Sequence, residues 1–179
     1  MLIRGSGVRD IAYVLQIATK SVLCFIEKFA KTIQNKPFLI PKEKIYQVVQ
    51  IDEMYTFVQN KGKKVWIFYA YSPETGEILA ATMGKRTEKQ VKNLLTHLKA
   101  LNIEILSWAT DHFAGFQNLF PKDKHLIGKE YTKHIEGKNC AVRAHLARFQ
   151  RRSTKFSKKL FFQWYLFRFF AFRNNNRFA

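Results

Sequence analysis

Acidic residues are scarce in this chain: 13 Asp plus Glu stand against 31 Lys plus Arg in 179 residues, a formal charge of +18. Such an imbalance calls for a polyanionic partner. Nucleic acid is the commonest one, although an anionic membrane surface or ribosomal RNA would carry the same sign. Cysteine is nearly absent. Cys24 and Cys140 lie far apart with no C-x-x-C or Cys/His ligand spacing, which argues against a disulfide framework and a structural zinc site and points to a reduced, cytosolic chain. Long apolar runs are missing too. The opening residues have no signal-peptide core, and the most apolar stretch, 160–172, is short and interrupted by Gln163 and Arg168, so no membrane span is expected. What is present is 47% hydrophobic and 15% aromatic residues, enough to build the core of one domain with a small appendage.

Residues 8–31 read as two short helices around a tight turn. Ile11, Ala12, Leu15, Ile17, Val22 and Phe25 fall at the offsets at which a helix-turn-helix packs its pair together. Thr19 can cap the second helix, leaving Thr19, Lys20, Ser21 and Lys28 for a DNA groove or its phosphates. An ordinary helical pair without a DNA role would show the same pattern. A Lys-rich linker with Pro37 and Pro41 follows, and then the period changes from helical to extended. The expected organisation is 1–36 a partial helix-turn-helix segment, 37–44 a linker, 45–150 a catalytic core and 151–179 a basic, Phe-rich helix and tail.

Within the core, 46–55, 64–71 and 78–83 read as strands separated by turn chemistry, predicting a three-strand antiparallel meander. The run Val65 to Tyr71 is apolar on both faces and belongs inside a sheet covered on both sides. Thr87 to Gln90 has the form of a capping box, and Val91, Leu94, Leu95, Leu98 and Leu101 make one helical stripe. Residues 103–109 then return as a parallel crossover strand ending in Thr110 and Asp111. After a loop with Pro121 and His125, 130–150 reads as a helix with Ile135, Val142, Leu146 and Phe149 buried. Leu160, Trp164, Phe167 and Phe170 suit a last helix laid on the sheet, although basic residues among aromatics could also stack on single-stranded bases; 173–177 is expected to fray.

In a chain short of acids, the places where they occur carry information. Asp52 falls inside a strand, where Asp is a poor former, and Asp111 sits at the end of the crossover strand. Glu136 lies on the late helix with Asn139 and Arg143 on its face. If the two strands are neighbours, the three carboxylates converge, and they would repel unless protons or a divalent metal held them together. Hard oxygen ligands suit Mg²⁺ or Mn²⁺, and a two-metal site serves phosphodiester transfer. Strand, crossover-strand end and helix follow the order of a ribonuclease-H-like α/β sheet, here a mixed sheet flanked by helices.

Four stretches carry a likeness to a known family. They are 5–12 with 19–22; Asp52-Glu53-Met54-Tyr55 with 66–71; Thr110-Asp111; and 131–139 running into 143–148 and 156–158. Together they resemble the transposases of insertion sequence 1, within the DDE group of ribonuclease-H-like transposases and integrases. Between Asp111 and Glu136 lie 24 residues, as in the family's second spacing, and Arg143 stands where such enzymes often carry a basic residue. The chain starts inside the region that holds a zinc-binding segment and a first helix in the family, so the resemblance implies an N-terminally shortened member. Gly137 departs from the basic residue expected after the glutamate.

The resemblance implies Asp52, Asp111 and Glu136 as catalytic residues and ligands of Mg²⁺ or Mn²⁺. It makes Arg143 a contact to DNA near the cleaved phosphate, Asn139 and Lys138 supporting DNA-binding residues, and His134 and His125 weaker phosphate contacts. Glu53 should point to the opposite face of a regular strand and is not expected to be a ligand. The implied activity is cleavage at element ends and transfer of the 3′-hydroxyl into target DNA. The protein is then a bacterial, cytoplasmic, nucleoid-associated homo-oligomer on paired double-stranded DNA ends. A relative that binds DNA and represses without catalysis is the alternative.

Overall fold

The computed structural model describes residues 1, 6–34, 40–116, 119–152 and 156–176. Pro37 and its neighbours in the expected linker, and Arg177 in the expected frayed end, lie outside them. Two helices open the chain, α1 (Val8–Leu15) and α2 (Thr19–Gln34). Gln16 ends α1 in the left-handed conformation, φ 54°, doing the work a glycine does in many such turns. The pair shares a small core of Ile11, Ala12 and Val22, whereas Leu15, Ile17 and Phe25, expected inside, are exposed. Thr19 is the first residue of α2 and not its cap. The amides of Ser21 and Val22 donate to the Ala18 carbonyl instead.

A five-stranded sheet follows, made of β1 (Ile45–Val58), β2 (Asn60–Tyr71), β3 (Ile78–Gly84), β4 (Glu104–Thr110) and β5 (His125–Ile127) in the order β3-β2-β1-β4-β5. The first three strands are an antiparallel meander, and β4 pairs parallel to β1, as a crossover requires. This is the ribonuclease-H-like mixed sheet. The loop after Asp111 adds β5, parallel to β4, which the sequence pattern did not reveal. The regular β1–β2 ladder ends at Phe57 opposite Lys64, after which the register shifts to Val58 opposite Asn60.

Along β2 the side chains alternate between two cores. Phe68 and Ala70 face α3 (Glu88–Lys99), which contributes Val91, Leu94 and Leu98. Thr87 stands at the head of that helix in an extended conformation without a side-chain cap. Ile67, Tyr69 and Tyr71 face the other layer, made by α4 (Lys133–His145) and α5 (Leu160–Asn175). The stripe Ile135, Val142, Leu146 and Phe149 is buried there, although the last two residues belong to the turn after α4. Phe167 and Phe170 of α5 are buried, while Leu160 at its start is exposed.

The end of α5 does not fray. Asn175 Oδ1 accepts from the amide of Ile78 at 2.9 Å and its Nδ2 donates to the Ile78 carbonyl at 3.0 Å, while Asn174 Nδ2 donates to the Gly76 carbonyl at 2.8 Å. These amides satisfy backbone groups at the start of β3 that have no neighbour strand, so the polar tail is a structural joint. Among the described residues no helix is long and apolar enough to cross a membrane.

Candidate active site

β1 is twice as long as β4, and the mismatch makes the site. The parallel ladder ends at Ile51 opposite Thr110, so Asp52 and Asp111 are the next residue on each strand. Beyond that point no β4 backbone lies beside β1, and polar groups occupy the gap. One carboxylate oxygen from each of Asp52, Glu53 and Asp111 lies within 4.8 Å of the other two.

Asp52 faces α4. Its Oδ2 accepts from Asn139 Nδ2 at 2.7 Å, and its Oδ1 accepts from the Glu53 amide at 2.7 Å. Asn139 is buried, and its Oδ1 accepts from the Tyr69 hydroxyl at 2.9 Å. Tyr69 stands opposite Asp52 on β2, so one chain of hydrogen bonds aims the amide donor at the acid. Burial pushes the Asp52 carboxyl up to about 7; the charges of Glu53 and Asp111 add to the rise, and the two donors oppose it.

Glu53 leaves β1 on the α3 side, as the pleat requires, yet it still reaches the cluster because β4 has already ended. Its side chain is only 4% exposed. Oε1 accepts from Arg86, with Nε at 2.8 Å, and the guanidinium stacks on Phe113 at 4.1 Å and Trp66 at 4.9 Å. Oε2 is buried with no hydrogen-bond partner. Burial raises the Glu53 carboxyl, with Arg86 opposing. Asp111 is oriented by its own loop, its Oδ1 accepting from the Phe113 amide at 2.9 Å.

Two half-buried acids with raised pKa values, a third beside them and an orphaned carboxylate oxygen form a set of hard oxygen donors that a divalent cation satisfies. The residues therefore fit the metal expected of them.

Glu136 is not one of the three. It lies exposed on α4, one turn from the Asn139 that touches Asp52. Asn139, Tyr69 and Gln50 tie that helix to the sheet; the Tyr69 hydroxyl also lies 3.2 Å from the Ile135 carbonyl, and Gln50 was not singled out from the sequence. Gln50 is buried on β1, with Oε1 accepting from the Ile135 amide at 2.8 Å and Nε2 donating to the Tyr131 carbonyl at 2.5 Å. A side chain from the strand thereby caps the first turn of the helix. A glutamine inside a strand carries no signal that would distinguish it from a solvent-facing one.

The other sequence candidates are spread more widely. Arg143 is half-buried on α4, its Nε without a partner, and burial together with the neighbouring Arg151 lowers its pKa. Lys138 turns toward α5, donating to Asn174 Oδ1 at 2.8 Å and lying over the Tyr71 ring. His134 is exposed on α4. His125 on β5 lies 2.8 Å from Thr110 Oγ1, and burial lowers its pKa. Thr19, Lys20, Ser21 and Lys28 are exposed on α2 and take no part in the carboxylate site.

Comparison with known proteins adds a family. Residues 46–166 match the sequence model of the family described as IS1 transposase. The insertion element iso-IS1n protein InsB of Shigella dysenteriae is 36% identical over 113 residues, 63% of this chain and 85% of that protein. The insertion element IS1 protein InsB of Shigella flexneri is 35% identical over 111 residues, 62% of this chain and 83% of that one. Two solved structures show a looser likeness. The HTLV-2 integrase catalytic core domain, in a trimeric form with magnesium, is 15% identical with a TM-score of 0.40, over 53% of this chain and 67% of that one. A simian T-cell lymphotropic virus intasome in complex with PP2A regulatory subunit B56 gamma is 12% identical with a TM-score of 0.49, over 87% and 62%. The fold class rests on the strand order itself.

Proposed function

Because the chain belongs to the IS1 transposase family, we propose that it is a divalent-metal-dependent DNA transposase that cleaves a strand at element ends and transfers the 3′-hydroxyl into target DNA. The observation that carries this reading is the meeting of the Asp52 and Asp111 carboxylates on adjacent strands where β4 ends. Asp52 and Asp111 would hold Mg²⁺ or Mn²⁺, with Glu136 as the third ligand from α4. When bound, such ions stabilise the attacking and leaving oxygens of an in-line phosphoryl displacement.

The chain's own residues prepare the site. Asn139 presents a donor to Asp52 and favours its ionised form, which is the form that ligates. Gln50 and Asn139 fix the height of α4 over the sheet and with it the reach of Glu136. Glu53 balances Arg86 on the α3 side through Oε1, and its unpartnered Oε2 would join Asp52 and Asp111 at the ion. Arg143 offers a cation for a DNA phosphate. Double-stranded DNA is the partner in this reading, brought to an acidic centre by a basic chain, and the protein acts as a homo-oligomer on paired ends.

The place of Glu136 outside the carboxylate cluster favours a second reading, a relative that binds DNA and represses without cleaving. One experiment separates the two: cleavage and joining of labelled DNA ends by the purified protein with Mn²⁺ or Mg²⁺, beside Asp111→Ala and Glu136→Ala. Activity lost in both variants supports the transposase. Wild-type protein that binds DNA but never cleaves it supports the second reading.

A further inference from the structure

Past the carboxylates, β1 continues with one edge free of β4, and three cations gather there around a single hydroxyl. Arg151 donates to the Tyr55 hydroxyl at 3.2 Å and its guanidinium lies 5.5 Å from the ring centre; the Lys64 ammonium lies 5.2 Å from the same centre. Arg143 is the third, close enough to act electrostatically on both Tyr55 and Arg151. We propose that Tyr55, Lys64 and Arg151, with Arg143 behind them, form a subsite for a backbone phosphate of the DNA strand that crosses the carboxylates. The proposal rests on the transposase reading above and adds to it the path of the strand.

The position is the first argument. Tyr55 is two residues along β1 from Glu53 and on the same α3-side face, about 7 Å at the rise of a strand. That is about two nucleotides at the 3.4 Å spacing of a DNA strand. A strand whose reacting phosphate sits at the carboxylate cluster and which leaves it on the α3 side meets Tyr55 next.

The chemistry is the second. Neither Lys64 nor Arg151 forms an ion pair among the described residues, and the nearest acid along β1, Glu53, is already engaged by Arg86. Like charges held together repel unless an anion joins them. The Tyr55 hydroxyl accepts from Arg151, and its own proton has no acceptor among the described residues, leaving one donor for a phosphate oxygen. Trp66 at 5.3 Å and Phe57 at 5.6 Å brace the tyrosine ring, and that ring in turn holds the two long cations in place. Cations positioned on aromatic platforms give up less side-chain entropy on binding.

The test is fluorescence anisotropy of a fluorescein-labelled DNA duplex, in EDTA, over a salt series, with thermal melts as a check on folding. Lys64→Gln/Arg151→Gln should bind about tenfold more weakly, with a log–log salt slope shallower by about two. Tyr55→Phe should weaken binding by a smaller factor and leave the slope unchanged. Lys89→Gln/Lys92→Gln on α3 removes the same charge far from this edge and should leave affinity within about twofold of wild type. A Lys64/Arg151 variant that melts like wild type and binds like wild type overturns the subsite, and so does an equal loss in the α3 variant. Asp52→Ala separates this from the function itself, because its loss of cleavage is read independently of duplex binding. A wild-type protein that does not bind the duplex at all overturns both.

Discussion

The two halves of β1 are built differently. From Ile45 to Ile51 the strand is paired with β4, β2 joining its other edge only from Gln50, and its side chains are largely those of a core, with Val49 and Ile51 fully buried. From Glu53 to Val58 it keeps only β2, and its other edge meets a looser chain: Thr56 Oγ1 donates to the Arg148 carbonyl at 3.4 Å and the Gln59 amide to the Ser157 carbonyl at 2.9 Å. Asp52 stands at the junction. A strand that outruns its neighbour keeps a rigid backbone while freeing space at one edge, so charged side chains can gather there without breaking a ladder. The first half supplies rigidity and the second the chemistry, which explains how an aspartate is tolerated in the middle of a sheet.

That contrast can be broken most severely at the junction. Asp52→Ala or Asp111→Ala should lower metal-dependent cleavage by more than about 100-fold, beyond the 10–100-fold typical of an outer partner of a metal ligand, while leaving the fold intact by circular dichroism. Gln50 tests the rigid half. Gln50→Ala orphans the Ile135 amide and the Tyr131 carbonyl and should cost about 2–4 kcal/mol in urea unfolding, together with a fall in activity as α4 loses its anchor.

Asn139 lies between the halves. Asn139→Ala removes the donor that favours the ionised Asp52, so the metal concentration needed for half-maximal cleavage should rise about 10–100-fold. The smallest effect concerns pH. Asp52 has a folded-state value of about 7 against an ordinary 3.8. A raised carboxyl stabilises the fold fully below its unfolded value, and that contribution is lost as pH rises through the folded one. The melting temperature of the metal-free protein should therefore fall by a few degrees between about pH 4 and pH 7 relative to Asp52→Asn, which lacks the titrating group. Adding Mn²⁺ at pH 8 should restore it in wild type alone.

Most of the sheet was legible because its strands obey simple periods. The apolar run Val65 to Tyr71 identified β2 as covered on both faces, and the Val91, Leu94, Leu98 stripe identified α3 as one of the covers. Turn residues separated β2 from β3, whereas β1 and β2 turn at Gln59 and residues 60–63 belong to β2; the long helix stripe implied a crossover, which put Asp52 beside Asp111. The misses share a physical origin, since each depends on where an element stops. β5 is three residues long, too short to show any period. Glu53 was placed away from the acids by a pleat argument that holds only while a neighbouring strand separates the two faces. Gln50 carries no signal in the sequence, and Asn174 and Asn175 read as part of a fraying end. They are instead amides that satisfy backbone groups at the ends of α4 and β3, and that use appears only once those ends are brought together. The apolar residues of α1 and α2 were half right, because periodicity marks a stripe and not what covers it.

The most direct test of the central claim, that the end of β4 beside Asp52 is a divalent-metal site, is a Mn²⁺ titration followed by the electron paramagnetic resonance of the free ion, on wild-type protein and on Asp111→Asn. The account predicts saturable binding in wild type and its loss or a large weakening in the variant, whose fold and hydrogen bond to the Phe113 amide are kept. Equal binding by both proteins, or none by wild type, would contradict it.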